Sequence, residues 1–333
     1  MLRSFSSSFL FLLGILTLGS CTSDNAGKKS NPAPTPSVQV PRFDADSAYA
    51  YVSRQVDFGP RVPNSEGHAR TRDWLIAKLE SFGAEVIRQD FQATAYTGEK
   101  LNATNIIGQY NPEASKRIIL AAHWDTRPFA DSDLETERKN EPILGADDGA
   151  SGVGVLLEVA RQLGENPIDL GIDIIFFDAE DYGEKEGEDE KTWGLGSQYW
   201  SANFHEPGYD ARYGILLDMV GSKGARFPQE GFSLRYARAQ VEKIWTLANQ
   251  MGYGNFFVNS QAPAVLDDHY FVNTIAKIPM VDIINKPAQT ESGFGKHWHT
   301  HEDNMDIIEQ RTLRAVGQVV LAVVYREAGG TLG

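Results

Sequence analysis

One cysteine in 333 residues excludes any intrachain disulfide and any cysteine-rich zinc or iron–sulfur centre. Positive charge is also scarce: 31 Lys and Arg stand against 45 Asp and Glu, a formal net charge of −14. A surplus of that sign repels phosphate backbones, so the chain is poorly suited to non-specific nucleic-acid binding and no nucleic-acid partner is expected. No Gly-x-Ser-x-Gly elbow occurs, which removes the usual serine-hydrolase arrangement. Gly152-Val153-Gly154 lacks the third glycine of a dinucleotide-binding turn. The N-terminal apolar run, residues 9–18, is too short to span a bilayer, which takes about twenty residues. What remains is ordinary: 41% hydrophobic, 11% aromatic and 23% charged residues, so collagen-like and wholly disordered chains are out.

The short apolar run follows Arg3 and suits the hydrophobic region of a signal peptide. It ends in Leu18-Gly19-Ser20-Cys21, which resembles a bacterial lipobox. That resemblance implies a signal peptide over 1–20, acylation of Cys21, and attachment of the mature chain to a membrane through its lipid. Residues 21–42 are polar and rich in proline, the composition of an extended tether. Thr22 after the cysteine is not acidic, so the expected location is the outer membrane, facing the periplasm.

From residue 43 onward, helical and strand patterns alternate. Helices are expected at 44–58, 65–82, 149–163, 197–204, 235–250, 267–273 and 310–326. Strands are expected at 84–91, 103–109, 117–122, 172–177, 213–219 and 278–284. Helices and strands of these lengths in alternation predict one α/β domain over 43–333, with a central, mostly parallel sheet covered by helices. In such sheets, active sites gather at the carboxyl ends of strands. The expected strand ends here carry His123 and Asp125, then Asp178, Glu180 and Asp181, then Asp218, with the strand holding Asp282 leading towards His299.

Like charges converging on one sheet edge are costly unless a cation joins them, which points to a metal. In His123-Trp124-Asp125 both polar side chains fall on one side of an extended segment, so the carboxylate is placed to hold the imidazole. Asp147 and Asp148 sit at a glycine-rich helix entry, where either serves equally as a helix cap. Glu180 and Asp181 directly follow an apolar strand, so one can ligate a metal while the other handles protons. His297, His299 and His301 share a face if extended, and one of the three is expected to be a ligand. Residues 184–190 and 131–141 read as solvated acidic loops, and His68 and His205 as surface or locally bonded histidines.

The ordered set His-Trp-Asp-Thr-Arg (123–127), Gly-Ala-Asp-Asp-Gly-Ala-Ser-Gly (145–152), Phe-Phe-Asp-Ala-Glu-Asp (176–181), Leu-Leu-Asp-Met-Val-Gly (216–221), Asp-Asp-His (267–269) and Trp-His-Thr-x-x-Asp-Asn (298–304) resembles the M28 zinc-peptidase superfamily. Within it the set is most similar to the animal-type, zinc-dependent glutaminyl cyclases. The resemblance implies a single α/β domain with a mixed central sheet and one zinc ion held by Asp148, Asp181 and His299. The family more often has Glu where this chain has Asp181. By the same resemblance Glu180 is the general acid and base, with Asp218 and Asp267 beside it. Trp193, Trp298 and Phe294 wall a pocket for one side chain. His123, Asp125, Asp268 and His269 support the site through hydrogen bonds. The implied substrates are peptides or proteins with N-terminal Gln, converted to pyroglutamate with release of ammonia. Two alternatives use the same sequence: an M28 aminopeptidase holding two zinc ions, His123 and Asp218 helping to bind the second, and a catalytically inactive binding lipoprotein.

Overall fold

The runs Ile118–Ala122 and Ile172–Phe177 lie side by side as central parallel strands. In the first, Ile118, Leu120 and Ala122 join one apolar layer while Ile119 and Ala121 join the other, the period-two alternation of a strand buried on both faces. The computed structural model describes Leu10 and residues 38–333, apart from 135, 186, 188, 288, 289 and 291. Apart from Leu10, the expected signal peptide lies outside the described residues, as do Cys21 and the tether up to residue 37.

The main sheet has six strands: β1 (Glu85–Thr94), β2 (Lys100–Tyr110), β3 (Arg117–His123), β4 (Gly171–Phe177), β5 (Gly214–Asp218) and β8 (Met280–Ile284), in the order β1-β2-β4-β3-β5-β8. β2 is antiparallel to both β1 and β4, whereas β4, β3, β5 and β8 run parallel, so the sheet is mixed and mostly parallel. Helices α1 (Ala45–Asp57), α3 (Ala150–Glu165) and α8 (Gln310–Ala328) pack on one another, and α3 lies against β3 and β5. Their apolar stripes, including Val153, Leu157, Val316 and Val320, close the larger core. On the opposite face Trp200 of α4 (Leu195–Ala202) packs with Phe177, Leu216 and Met280. Helix α2 (Glu66–Ser81) starts where the Ser65 hydroxyl accepts the His68 N–H, and it buries Leu75 and Leu79.

Three elements depart from the sequence expectation. The helix expected over 235–250 is two helices, α5 (Gly231–Tyr236) and α6 (Arg238–Gln250), broken at Ala237. The cause is Glu230, whose carboxylate accepts the Phe232 and Ser233 N–H groups and so starts α5 early. The helix expected over 267–273 is one turn, α7 (Asp268–Phe271), followed by a π-helical segment, Val272–Ala276. There the Asn273 amide bonds the Met280 carbonyl and accepts its N–H, fastening the segment to β8. A parallel pair, β6 (Phe227–Gln229) and β7 (Phe257–Gln261), was not anticipated, because so short a pair is too brief to carry an alternating pattern.

Candidate active site

Parallel strands deliver the acidic groups to one edge. β3 ends on His123, β4 runs into Asp178-Ala179-Glu180-Asp181, and β5 ends on Asp218. The turn entering α3 adds Asp148, and the turns after β8 add His299. Ala179, Met219 and His299 have φ of 53°, 49° and 56°. Left-handed backbone at non-glycine residues costs on the order of 1–3 kcal/mol each, and here it aims the neighbouring acids and the imidazole inward.

Asp148, Asp181 and His299 come together as the resemblance implied. His299 Nε2 lies 3.1 Å from Asp181 Oδ1 and 3.7 Å from Asp148 Oδ2. The other ring nitrogen, Nδ1, is 3.1 Å from Asp131 Oδ1, a carboxylate that fixes the imidazole with Nε2 towards the acids. His123 Nε2 lies 3.1 Å from Asp148 Oδ1 and 3.3 Å from Asp218 Oδ1, so Asp148 is shared between two buried histidine–acid groups. In each group the donor atoms lie within 4.8 Å of one another. Asp181 Oδ2 is buried and has no hydrogen-bond partner. A carboxylate oxygen stripped of water without a donor is costly, and a cation among one imidazole and two carboxylates answers that cost. The residues present fit a metal ion.

The pocket floor is electrostatically loaded. Burial pushes the Glu180 carboxyl well above the usual range, with Asp181, Asp267 and Asp268 adding to the shift against the pull of His123. Burial also raises Asp218, and Asp267 and Asp148 reinforce it, while its contact with His123 opposes. Burial would lower His123, but Asp125, Asp148 and Asp218 outweigh it and raise the imidazole well above its ordinary value.

Supporting groups hold the catalytic loops by main-chain contacts. The Asp125 carboxylate lies 3.5 Å from His123 Nδ1, beside the imidazole it was expected to hold, and also accepts the Glu180 and Asp181 N–H groups at 3.0 and 3.2 Å. It therefore fixes the two acids that follow β4. Arg127 donates to the Asp181 and Gly183 carbonyls and to Asp131. Asp303 accepts the Asp147 and Asp148 N–H groups at 2.7 and 3.0 Å, and burial with these two acids pushes it up to about 7. Buried Arg61 donates to the carbonyls of Trp124, Leu144 and Gly145. Gly149 has φ 97°, and a Cβ there would lie 2.5 Å from the Asp125 carbonyl oxygen, so the turn carrying Asp148 requires glycine.

Above the acids lies a pocket of about 300 Å³. Asp148, Glu180, Asp181, Asp218 and Asp267 line its floor, and Trp193, Phe294 and Trp298 its walls. Trp298 stacks on His299 with centroids 3.7 Å apart, and Phe294 stacks on Trp298 at 4.7 Å. Trp193 lies 6.2 Å from His299 and under Arg127.

Other expected site residues lie outside the pocket lining. His269 Nε2 lies 3.0 Å from Glu230, and Asp268 is buried beside Asp267. His297, His299 and His301 do not share a face: tight turns send His297 to Asp147 at 2.9 Å and His301 to Asp133 at 2.8 Å. His68 is no surface residue, since it is buried, stacks on Trp124 at 4.3 Å and pairs with Asp178 at 2.8 Å. His205 accepts from the Trp200 indole N–H, a local bond as expected. Asp131 belongs to the site although its segment reads as a solvated loop, and Lys185 of the other acidic loop lines the pocket.

A model described as peptidase family M28 matches residues 105–324. The glutaminyl-peptide cyclotransferase of Bothrops jararaca is 26% identical over 298 residues, covering 79% of this chain and 76% of its own. Among solved structures, Bacteroides thetaiotaomicron glutaminyl cyclase bound to N-acetylhistamine is 52% identical with a TM-score of 0.84. That match covers 86% of this chain and 99% of the other. A Zn-dependent exopeptidase from Parabacteroides distasonis is also 52% identical, with a TM-score of 0.85 and the same coverage.

Proposed function

The chain belongs to the M28 peptidase family, and from that premise we propose that it is a glutaminyl-peptide cyclotransferase. The observation that carries this reading is its likeness to bacterial glutaminyl cyclases at about half identity over nearly their whole length. The substrate is a peptide or protein with N-terminal Gln. In the reaction the α-nitrogen bonds to the side-chain carboxamide carbon, that carbon's bond to nitrogen breaks, and ammonia leaves.

The chain's own residues account for the proton and for the shape of the substrate. Glu180, at the pocket floor, takes a proton from the α-nitrogen and gives one to the departing nitrogen, a task suited to a carboxyl raised by burial. Asp218 and Asp267 line the same floor and orient the two nitrogens by hydrogen bonds. Trp193, Trp298 and Phe294 enclose the flexible Gln side chain, so that amine and carboxamide meet in a near-attack shape. A zinc ion held by Asp148, Asp181 and His299 supplies Lewis-acid polarisation of the carboxamide carbonyl when bound. One ion is the expected number for the reaction.

The second reading is an M28 aminopeptidase. It is favoured by the His123–Asp148–Asp218 group, which offers donors for a second ion, and by likeness to a Zn-dependent exopeptidase. Turnover of a Gln-starting peptide compared with a Leu-starting peptide, each with and without chelator, separates the two. Chelator-sensitive reaction of the first alone supports the cyclase, and shortening of the second supports the peptidase. The lipobox-like Leu18-Gly19-Ser20-Cys21 supports a further part of the proposal, a lipid anchor at Cys21 facing the periplasm. Loss of membrane fractionation in Cys21→Ser tests it.

A further inference from the structure

Behind the pocket floor, Asp267, His269 and Asp282 each bring a donor atom within 4.8 Å of the other two, and all three are buried. Glu230 Oε2 lies 3.0 Å from His269 Nε2. The Glu230 carboxylate also accepts main-chain N–H groups from Phe232, Ser233 and Val265, so it acts as an ionised acceptor and the imidazole must donate to it. Nε2 is thus taken by Glu230, and the other ring nitrogen, Nδ1, turns towards Asp282 Oδ2 at 3.8 Å. His269 Nδ1, both Asp282 carboxylate oxygens and Asp267 Oδ2 have no hydrogen-bond partner and are shut off from solvent.

A ring nitrogen and carboxylate oxygens that share a buried gap without a hydrogen bond between them are left unsatisfied unless a cation joins them. The 3.8 Å separation is too long for a direct hydrogen bond. It suits two ligands of one ion whose bonds are about 2.0–2.2 Å long. The donor set repeats that of the pocket floor: one imidazole, two carboxylates, and a third carboxylate on the far ring nitrogen, Glu230 here and Asp131 there.

We propose that Asp267, His269 and Asp282 form a further divalent-cation site, distinct from the Asp148–Asp181–His299 set, with Glu230 orienting the imidazole. The ion holds Asp267 ionised and fixed where it meets the pocket. It also offsets the mutual repulsion of Asp218, Asp267 and Asp282. Burial pushes Asp282 well above the usual range, with Asp267, Glu230 and Asp218 adding to the shift and Lys286 opposing it.

The proposal goes beyond the cyclase reading and its test reads no turnover, so the two fail separately. Crystals of the full-length protein grown with saturating zinc are measured on both sides of the zinc absorption edge. The expected result is an anomalous peak about 2.0–2.2 Å from His269 Nδ1, in addition to one at His299. Asp282→Asn is expected to remove the first peak, keep the second, and lower the zinc content by one equivalent per chain. A map without anomalous signal beside His269 Nδ1, whether that gap holds water or nothing, overturns the proposal. So does an Asp282→Asn protein that retains both the peak and the zinc content.

Discussion

Glu180 is buried among acids at the pocket floor, and the account gives it both proton transfers. Glu180→Gln keeps the shape and removes the proton carrier. Turnover is expected to fall roughly 10²–10⁴-fold while metal content, read by elemental analysis, stays unchanged. A variant that loses its metal would show Glu180 to be holding the site instead. Asp131 acts through His299, so Asp131→Asn is expected to weaken zinc binding about 10–100-fold in a competitive chelator titration. Unchanged affinity would contradict that role. Glu180, Asp181 and Asp218 were legible in the sequence because each stands at a strand end, where chain direction puts it on the active edge, whereas the choice of Asp148 over Asp147 rested on the family resemblance. Asp131, Asp303, His68 and Arg61 were not. Their partners lie 168, 156, 110 and up to 84 positions away in sequence, and only the packing of distant segments brings them together.

The elements that carry the site are held by capping and turn geometry, and their sensitivity to change follows from it. Gly149→Ala puts a Cβ against the Asp125 carbonyl at a positive φ, and a loss of about 1–3 kcal/mol is expected in denaturant unfolding. An unaltered midpoint would mean that the turn into α3 relaxes freely. Helix α5 gives a pH signature. Burial alone would raise Glu230, but His269 and the N–H groups of Ser233 and Phe232 bring it down to about 2 from an ordinary 4.5. A carboxylate lowered by folding contributes stability that is fully present above pH 4.5 and is lost as the pH falls through about 2. Acid unfolding of the metal-free protein should therefore contain a component in that window that Glu230→Gln lacks. Identical acid limbs would count against it. Long elements such as α3, α8, β3 and β4 were readable from their apolar runs. The break at Ala237 and the β6–β7 pair were not, because a side-chain cap and a very short pairing leave no periodic trace.

At the scale of the whole molecule, the sheet gathers five acids beneath one pocket, and a cation that binds only the folded chain must stabilise it. Zinc at about a hundred times its dissociation constant adds roughly 2.7 kcal/mol, so a clear rise in Tm is expected with zinc and a fall with chelator. A melting curve indifferent to both would remove the metal from the account. The fold alone does not choose between cyclisation and hydrolysis, since family members named for either reaction share it. That choice rests on the product. Mass spectrometry of a synthetic Gln-starting peptide incubated with the zinc-loaded protein reads it directly. The account predicts a peptide lighter by one ammonia and otherwise intact. Free Gln together with a peptide one residue shorter would contradict it.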